Sequence, residues 1–381
     1  MMAVPFNLAT RLGSEESFVM DAIRSGRLAG DGAYSRRCED RASEHLGFGN
    51  VLVTSSGTHA LEIAAMLLDL SPGDEVIMPS FTFPSTATAF VLRGARPVFV
   101  DVRPDTMNID ERCIEPAITA RTRAIVVVHY GGVACQMDAV MDLASAHGLA
   151  VIEDAAHAVG GRWMERPLGT IGDMAAFSFH ETKNLTSGGE GGMIWVRDPE
   201  LFARAQVIRE KGTNRSAFRA GKVSKYEWMD IGSSYLMAEV NAAYLWPQLA
   251  EIDQITLKRR SICDAYRAAF ADLIDSGRIA VQEMPAGTYA PGHIFYLKLR
   301  DESDRDAFIA AARDRGVLAV SHYVPLHTVP AGRQFGQFVG QDVVTTRDSS
   351  RLVRLPVFYN MSTEQYGLVI DAVSAFFAAS P

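Results

Sequence analysis

From about residue 50 to residue 196, short apolar runs alternate with longer stretches of helical pattern. The runs NVLVTS (50–55), EVIMPS (75–80), PVFVDV (97–102), AIVVVHY (124–130), AVIEDA (150–155), AAFSFH (175–180) and GMIWV (192–196) read as strands. THALEIAAMLLDL (58–70), TATAFVLRGA (86–95) and MDAVMDLASAHG (137–148) read as the helices between them. Strands apolar on both faces and joined by helical crossovers predict an α/β fold, with a mostly parallel seven-stranded sheet covered on each side. Ligands of such sheets sit beyond the carboxyl ends of the strands. The segments after those ends are therefore where chemistry is expected.

The texture changes after about Glu251. A long polar helix (251–275) leads into strands near 279–283, 293–299 and 317–323 and helices near 303–315 and 362–378. This predicts a large domain over 1–250 and a smaller C-terminal α+β domain over 251–381. A length of 381 residues suits such a pair.

Composition narrows the function classes. The net charge of −8 and the lack of a basic run with interleaved aromatics argue against a nucleic-acid surface. Cys38, Cys113, Cys135 and Cys263 are scattered, with no C-x-x-C pair, which disfavours a disulfide framework or a zinc site. A reducing cytoplasm is expected. No apolar run approaches the roughly 18 residues that span a bilayer, and no secretory signal is visible.

Three segments at strand ends carry candidate chemistry. Thr54-Ser55-Ser56-Gly57-Thr58-His59 follows a strand and opens a helix. Free N–H groups and the helix dipole make such a start a phosphate site, with Gly57 allowing close approach and Ser56 and Thr58 offering hydroxyls. An ordinary N-cap is the structural alternative. Val151-Ile152-Glu153-Asp154-Ala155-Ala156-His157 ends an apolar strand in acid. Asp154 there can hold a pyridinium N–H, and His157 can reach a ring oxygen; a metal ligand or a turn cap explains the same residues. Phe177-Ser178-Phe179-His180-Glu181-Thr182-Lys183 places a lysine after an apolar run and before the glycine-rich 188–192. Desolvation lowers an amine's pKa and makes it nucleophilic toward an aldehyde.

His180-Glu181 begins like the zinc motif H-E-x-x-H, but residue 184 is Asn, so no metal is expected. The glycine-rich stretches match neither G-x-G-x-x-G nor a P-loop. Together, a phosphate cradle, a strand-end carboxylate and a lysine 29 residues later are the parts that pyridoxal 5'-phosphate (PLP) requires. Phe83, in MPSFTFPS (78–85), offers an aromatic face for its ring or belongs to the core.

With TSSGTHAL, GDEVIMPSFTF, VIEDAAHAVGG, FSFHETKNLTSGGEGG and YVPLH in order, the chain resembles the DegT/DnrJ/EryC1/StrS sugar aminotransferases over nearly its whole length. That resemblance implies the PLP-dependent transferase fold type I. It implies that Lys183 binds the cofactor aldehyde as a Schiff base and that Asp154 pairs with the pyridine nitrogen. His157 lies by the ring hydroxyl, where members carry Gln or His. Gly57, Thr58 and Ser178 hold the phosphate, and Phe83 stacks on the ring. Dehydratase relatives carry histidine in place of the lysine, so Lys183 implies transamination. Many members place Asn at the position of Ser234, and that Asn reaches the phosphate of the neighbouring subunit's cofactor; here Ser233 or Ser234 stands in its place. A homodimer with shared active sites follows.

The stretches at 90–111, 128–138, 208–218 and 230–246 are similar to one branch of the family. That branch aminates C4 of dTDP-4-keto-6-deoxy-D-glucose, with glutamate as donor and 2-oxoglutarate as its product. Tyr323 and His327, with His322, are candidates to face the sugar. Amination at C3, or of another nucleotide-linked keto sugar, is the alternative within the family. A non-catalytic PLP-binding regulator is disfavoured, because no room precedes the PLP region for a helix-turn-helix unit.

Overall fold

The computed structural model describes residues 4–379 except Phe48. All seven anticipated strands form: β1 Val51–Thr54, β2 Glu75–Pro79, β3 Arg96–Val100, β4 Thr122–Val128, β5 Ala150–Asp154, β6 Met174–Ser178 and β7 Gly192–Val196. An eighth, β8 Gln337–Phe338, comes from the C-terminal region and pairs with the edge of β3, so the sheet has eight strands rather than the seven expected. The order is β1-β7-β6-β5-β4-β2-β3-β8. Only β7 runs antiparallel to its neighbours.

Strand alternation divides the sheet's apolar residues between two cores. Val53, Ile77, Val127 and Val151 pack on one face with Cys38, Val140 and Leu245. Leu52, Val76, Val126 and Ile152 pack on the other with Ile63, Phe90 and Ile208. Both faces are therefore dry, which is why the strands read as continuous apolar runs. The helices start and stop on ordinary signals. Ser56 caps Gly57–Leu67 by accepting from the His59 N–H at 3.1 Å. Pro84 opens Pro84–Val91. Gly148 closes Met137–His147 in the left-handed region.

A third core gathers Ile262, Phe295, Leu297, Phe308, Val353 and Phe377 around a four-stranded antiparallel sheet. Three of its strands lie within the anticipated runs, but shorter. The fourth, Leu352–Leu355, was not anticipated. Val4 belongs to this core and bridges Val317, so the N-terminal segment reaches the C-terminal layer. No helix of the described residues is long and apolar enough to cross a membrane.

The end of β5 is fixed by Glu153. Its Oε1 accepts from the Ile171 and Gly172 N–H groups at 2.7 Å, and its Oε2 from the Gly169 N–H and His129 Nε2 at 2.8 Å. The side chain is wholly buried. Glu153→Gln keeps the shape but turns an amide NH₂ against N–H donors. We predict a loss of about 3 kcal/mol in urea unfolding. A loss below about 0.5 kcal/mol, the range of a surface change, would contradict this role.

Candidate active site

Beyond the carboxyl ends of β4, β5 and β6 lies a cavity of about 450 Å³. Gly57, Thr58, Phe83, Asp154, His157, Ser178, Lys183 and Tyr323 all line it. The three segments singled out in the sequence therefore converge, although 126 residues separate Gly57 from Lys183.

Adjacent acids at a strand end point to opposite faces. Glu153 turns into the protein and Asp154 turns into the cavity. Asp154 is 6% exposed. It accepts from Thr86 Oγ1 at 2.7 Å and from the Ala156 N–H at 3.2 Å. Thr86 donates to Asp154, so it accepts from Thr82 Oγ1 at 2.7 Å. Among the described residues Asp154 has no ion pair. Burial raises its pKa, opposed chiefly by the Thr86 bond. A cationic N–H in the cavity would relieve that burden.

Lys183 sits on a loop closed upon itself. Ser187 N–H donates to the Phe179 carbonyl at 3.0 Å, and Gly188 and Gly189 take the positive φ that the return requires. The next residue anchors the loop on two sides. The Asn184 carbonyl accepts from Thr10 Oγ1 at 2.8 Å, and its Oδ1 accepts from His293 Nδ1 at 2.7 Å. Burial pushes the Lys183 pKa down to about 8; the Arg354 charge adds to this and Asp154 opposes it.

His157 Nδ1 accepts from the Gly131 N–H at 3.3 Å, which leaves the proton on Nε2. Its ring lies 4.2 Å from that of His293. Burial, and then the Lys183 charge, hold it well below the ordinary histidine value. It is a neutral N–H donor. At the far end, the start of Gly57–Leu67 meets the end of β6. A Cβ on residue 57 would lie 2.9 Å from Ser178 Cβ, so glycine permits this approach. Thr58 Oγ1 bonds Ser85 Oγ at 2.7 Å. The donor set fits PLP: N–H and hydroxyl donors for a phosphate, an uncompensated carboxylate for a ring N–H, a neutral imidazole for a ring oxygen and a reactive amine for an aldehyde.

Three candidate residues lie outside this cavity. His327 does not line the cavity. Its Nδ1 bonds Ser80 Oγ at 2.7 Å, its Nε2 lies 3.1 Å from Asp342, and its ring packs 4.5 Å from Phe338. It fastens the segment that supplies β8. Ser233 and Ser234 are exposed outside the cavity, the latter bridged to Glu210. Thr86, Ser85, His293 and Arg354 were not anticipated. Thr86 and Ser85 read as ordinary helix positions. Arg354 carried a signal, a charge inside the apolar run LVRLPVF.

A test follows from the Lys183 amine, which is neutral and nucleophilic above its depressed pKa. The rate at which the cofactor-free protein captures PLP should rise with pH, be half-maximal at about 8 and then level off. Absorbance of the imine band reports it. A midpoint near the free-lysine value of about 10.4 would contradict the desolvated amine.

Residues 13–374 match the DegT/DnrJ/EryC1/StrS aminotransferase family. The spore coat polysaccharide biosynthesis protein SpsC of Bacillus subtilis (strain 168) is 34% identical over 97% of this chain and 96% of its own. The UDP-4-amino-4-deoxy-L-arabinose–oxoglutarate aminotransferase of Shewanella sediminis (strain HAW-EB3) is 33% identical over 94% of each chain. Among solved structures, the aminotransferase TlmJ of Streptoalloteichus hindustanus superposes with a TM-score of 0.91 at 31% identity, covering 99% of this chain and 100% of its own. The chain with Lys183 and Asp154 in one cavity thus belongs to the DegT/DnrJ/EryC1/StrS family of aminotransferases.

Proposed function

We propose that this PLP-dependent sugar aminotransferase moves the amino group of L-glutamate to C4 of dTDP-4-keto-6-deoxy-D-glucose, giving dTDP-4-amino-4,6-dideoxy-D-galactose. The observation that carries the chemistry is the single cavity shared by Lys183, Asp154, His157 and the start of Gly57–Leu67. The substrate rests on the branch resemblance of 90–111, 128–138, 208–218 and 230–246. It is supported by a relative whose name specifies a 4-amino sugar and oxoglutarate.

Bound here, PLP supplies an aldehyde that carries the amino group and a cationic ring that draws off the electron pair left by the departing proton. Asp154 holds the ring N–H, and its own position is fixed by Thr86 and the Ala156 N–H. His157 donates its Nε2–H to the ring oxygen. Gly57, Thr58 and Ser178 hold the phosphate at the helix start. Phe83, 57% exposed at the cavity rim, would offer its face to the ring. Lys183 Nζ would take the α-proton from glutamate as general base and, as acid, deliver it to the carbon that was the cofactor's aldehyde. In the second half it gives a proton to the sugar carbon that receives the amine. Tyr323, packed 6.2 Å from Phe83, faces the sugar.

We place the enzyme in the cytoplasm as a homodimer with shared active sites. Phe218, Tyr226, Trp228, Met229 and Ile231 are exposed in the single chain, Trp228 by 81%. This patch adjoins Ser233 and Ser234, which we assign to the phosphate of the neighbouring subunit's cofactor.

The experiment is to incubate the enzyme with PLP, glutamate and a panel of 3-keto and 4-keto sugar nucleotides, and to solve the products by NMR. The expected product carries an axial amine at C4 of the dTDP sugar, and Lys183→Ala lowers turnover by roughly 1,000-fold or more. An equatorial or C3 amine would overturn the substrate. Full activity in Lys183→Ala would overturn the site.

A further inference from the structure

Arg354 is a half-buried cation that meets no carboxylate among the described residues. It lies on the strand Leu352–Leu355 of the C-terminal layer and lines the cavity with Lys183. Among the described residues it forms no ion pair. Its guanidinium rests 4.9 Å from the Phe6 ring. Its Nη1 contacts the His322 ring nitrogens at 3.2 and 3.3 Å, and its buried Nε has no hydrogen-bond partner. His322 must be neutral to accept from a guanidinium. Burial, and then the Arg354 charge, push its pKa down to about 2. A buried charge is costly unless a partner compensates it. Among the described residues no carboxylate does so, which leaves the compensation to a ligand.

We propose that Arg354 binds the α-carboxylate of the amino donor. The proposal rests on the aminotransferase reading above and adds where the donor is held. A planar guanidinium with free donors suits a carboxylate bidentately. Position separates this anion from the diphosphate of a nucleotide sugar. The donor's carboxylate is bonded to the same carbon as the reacting amine, so it lies within two bonds of the nitrogen that meets the cofactor aldehyde. In a sugar reacting at C4, the diphosphate hangs from C1, across the pyranose ring. Arg354 is near enough to Lys183 and His157 to act on both electrostatically. That is the reacting end of the cavity.

The arrangement also suits two unlike substrates. The cavity takes an anionic amino acid in one half-reaction and an uncharged sugar carbonyl in the other. Held by a neutral imidazole, Arg354 accepts a carboxylate without breaking an ion pair. When the donor product leaves, His322 keeps the guanidinium in place.

The test follows the two half-reactions separately by cofactor absorbance in wild-type, Arg354→Gln and Arg354→Lys holoenzymes. Arg354→Gln should raise the glutamate concentration for half-maximal rate by roughly 30-fold or more. The acceptor half-reaction, from the amine form with dTDP-4-keto-6-deoxy-D-glucose, should stay within about threefold, in the absence of a lost contact. Arg354→Lys should fall between, because it keeps the charge and loses the fork. Calorimetric binding of 2-oxoglutarate to the PLP form should weaken in parallel, with melting temperature and cofactor spectrum unchanged. Equal losses in both half-reactions would overturn the proposal in favour of a structural role. A loss confined to the acceptor half would assign Arg354 to the nucleotide sugar instead. The donor half-reaction needs no sugar, so a wrong sugar assignment leaves its result intact. A wild-type enzyme that does not react with glutamate would remove the donor reading and this proposal together.

Discussion

A carboxylate sealed at the end of a parallel strand, with no ion pair among the described residues, is the constraint on which the rest of this site depends. Asp154 is nearly inaccessible, yet among the described residues its carboxylate accepts hydrogen bonds from just the Thr86 hydroxyl and the Ala156 N–H. Two neutral donors leave a buried charge poorly compensated. We propose that the ring nitrogen of PLP is the missing partner. Once it is placed, the other groups acquire roles by distance from it. In that proposal His157 would present an N–H to the ring oxygen, the helix start at Gly57 would receive the phosphate, and Lys183 would stand at the aldehyde. The sheet makes this possible, because strand alternation sends Glu153 into the protein and Asp154 into the cavity.

The two layers of the molecule contribute unequally. The eight-stranded sheet supplies what the cofactor needs. The C-terminal layer supplies His293, His322, Tyr323 and Arg354, which surround the space where substrates react. Asn184 ties the two together, since the residue after Lys183 bonds both the N-terminal arm and His293. The reactive amine is thus held by contacts from three separated parts of the chain. Its lowered pKa follows first from burial at their junction, and the Arg354 charge adds to it.

Much of this was legible in the sequence because burial on both faces of a parallel sheet leaves an unbroken apolar signal. The seven main strands followed from it, and Asp154 and Lys183 stood out where apolar runs ended. What was missed has no such signal. The two-residue strand Gln337–Phe338 is too short for any period, and the strand Leu352–Leu355 needed its antiparallel partners to be recognised. Thr86 lies in a helix of small residues, and only the fold brings it 2.7 Å from Asp154. His327 was misplaced for the opposite reason. A histidine four residues after Tyr323 looks chemical, but its ring is committed to Ser80 and Asp342. Arg354 was visible as a charge in an apolar run, but its meaning depends on the absence of a carboxylate around it.

The central claim is that Asp154 supplies the anion for a protonated cofactor ring. The direct measurement is the nitrogen NMR shift of the holoenzyme carrying ring-¹⁵N-labelled PLP, across the pH range of stability. The account predicts a protonated ring nitrogen throughout, lost in Asp154→Asn with the fold intact. An unprotonated nitrogen in the wild-type enzyme, or a protonated one unaffected by Asp154→Asn, would contradict it.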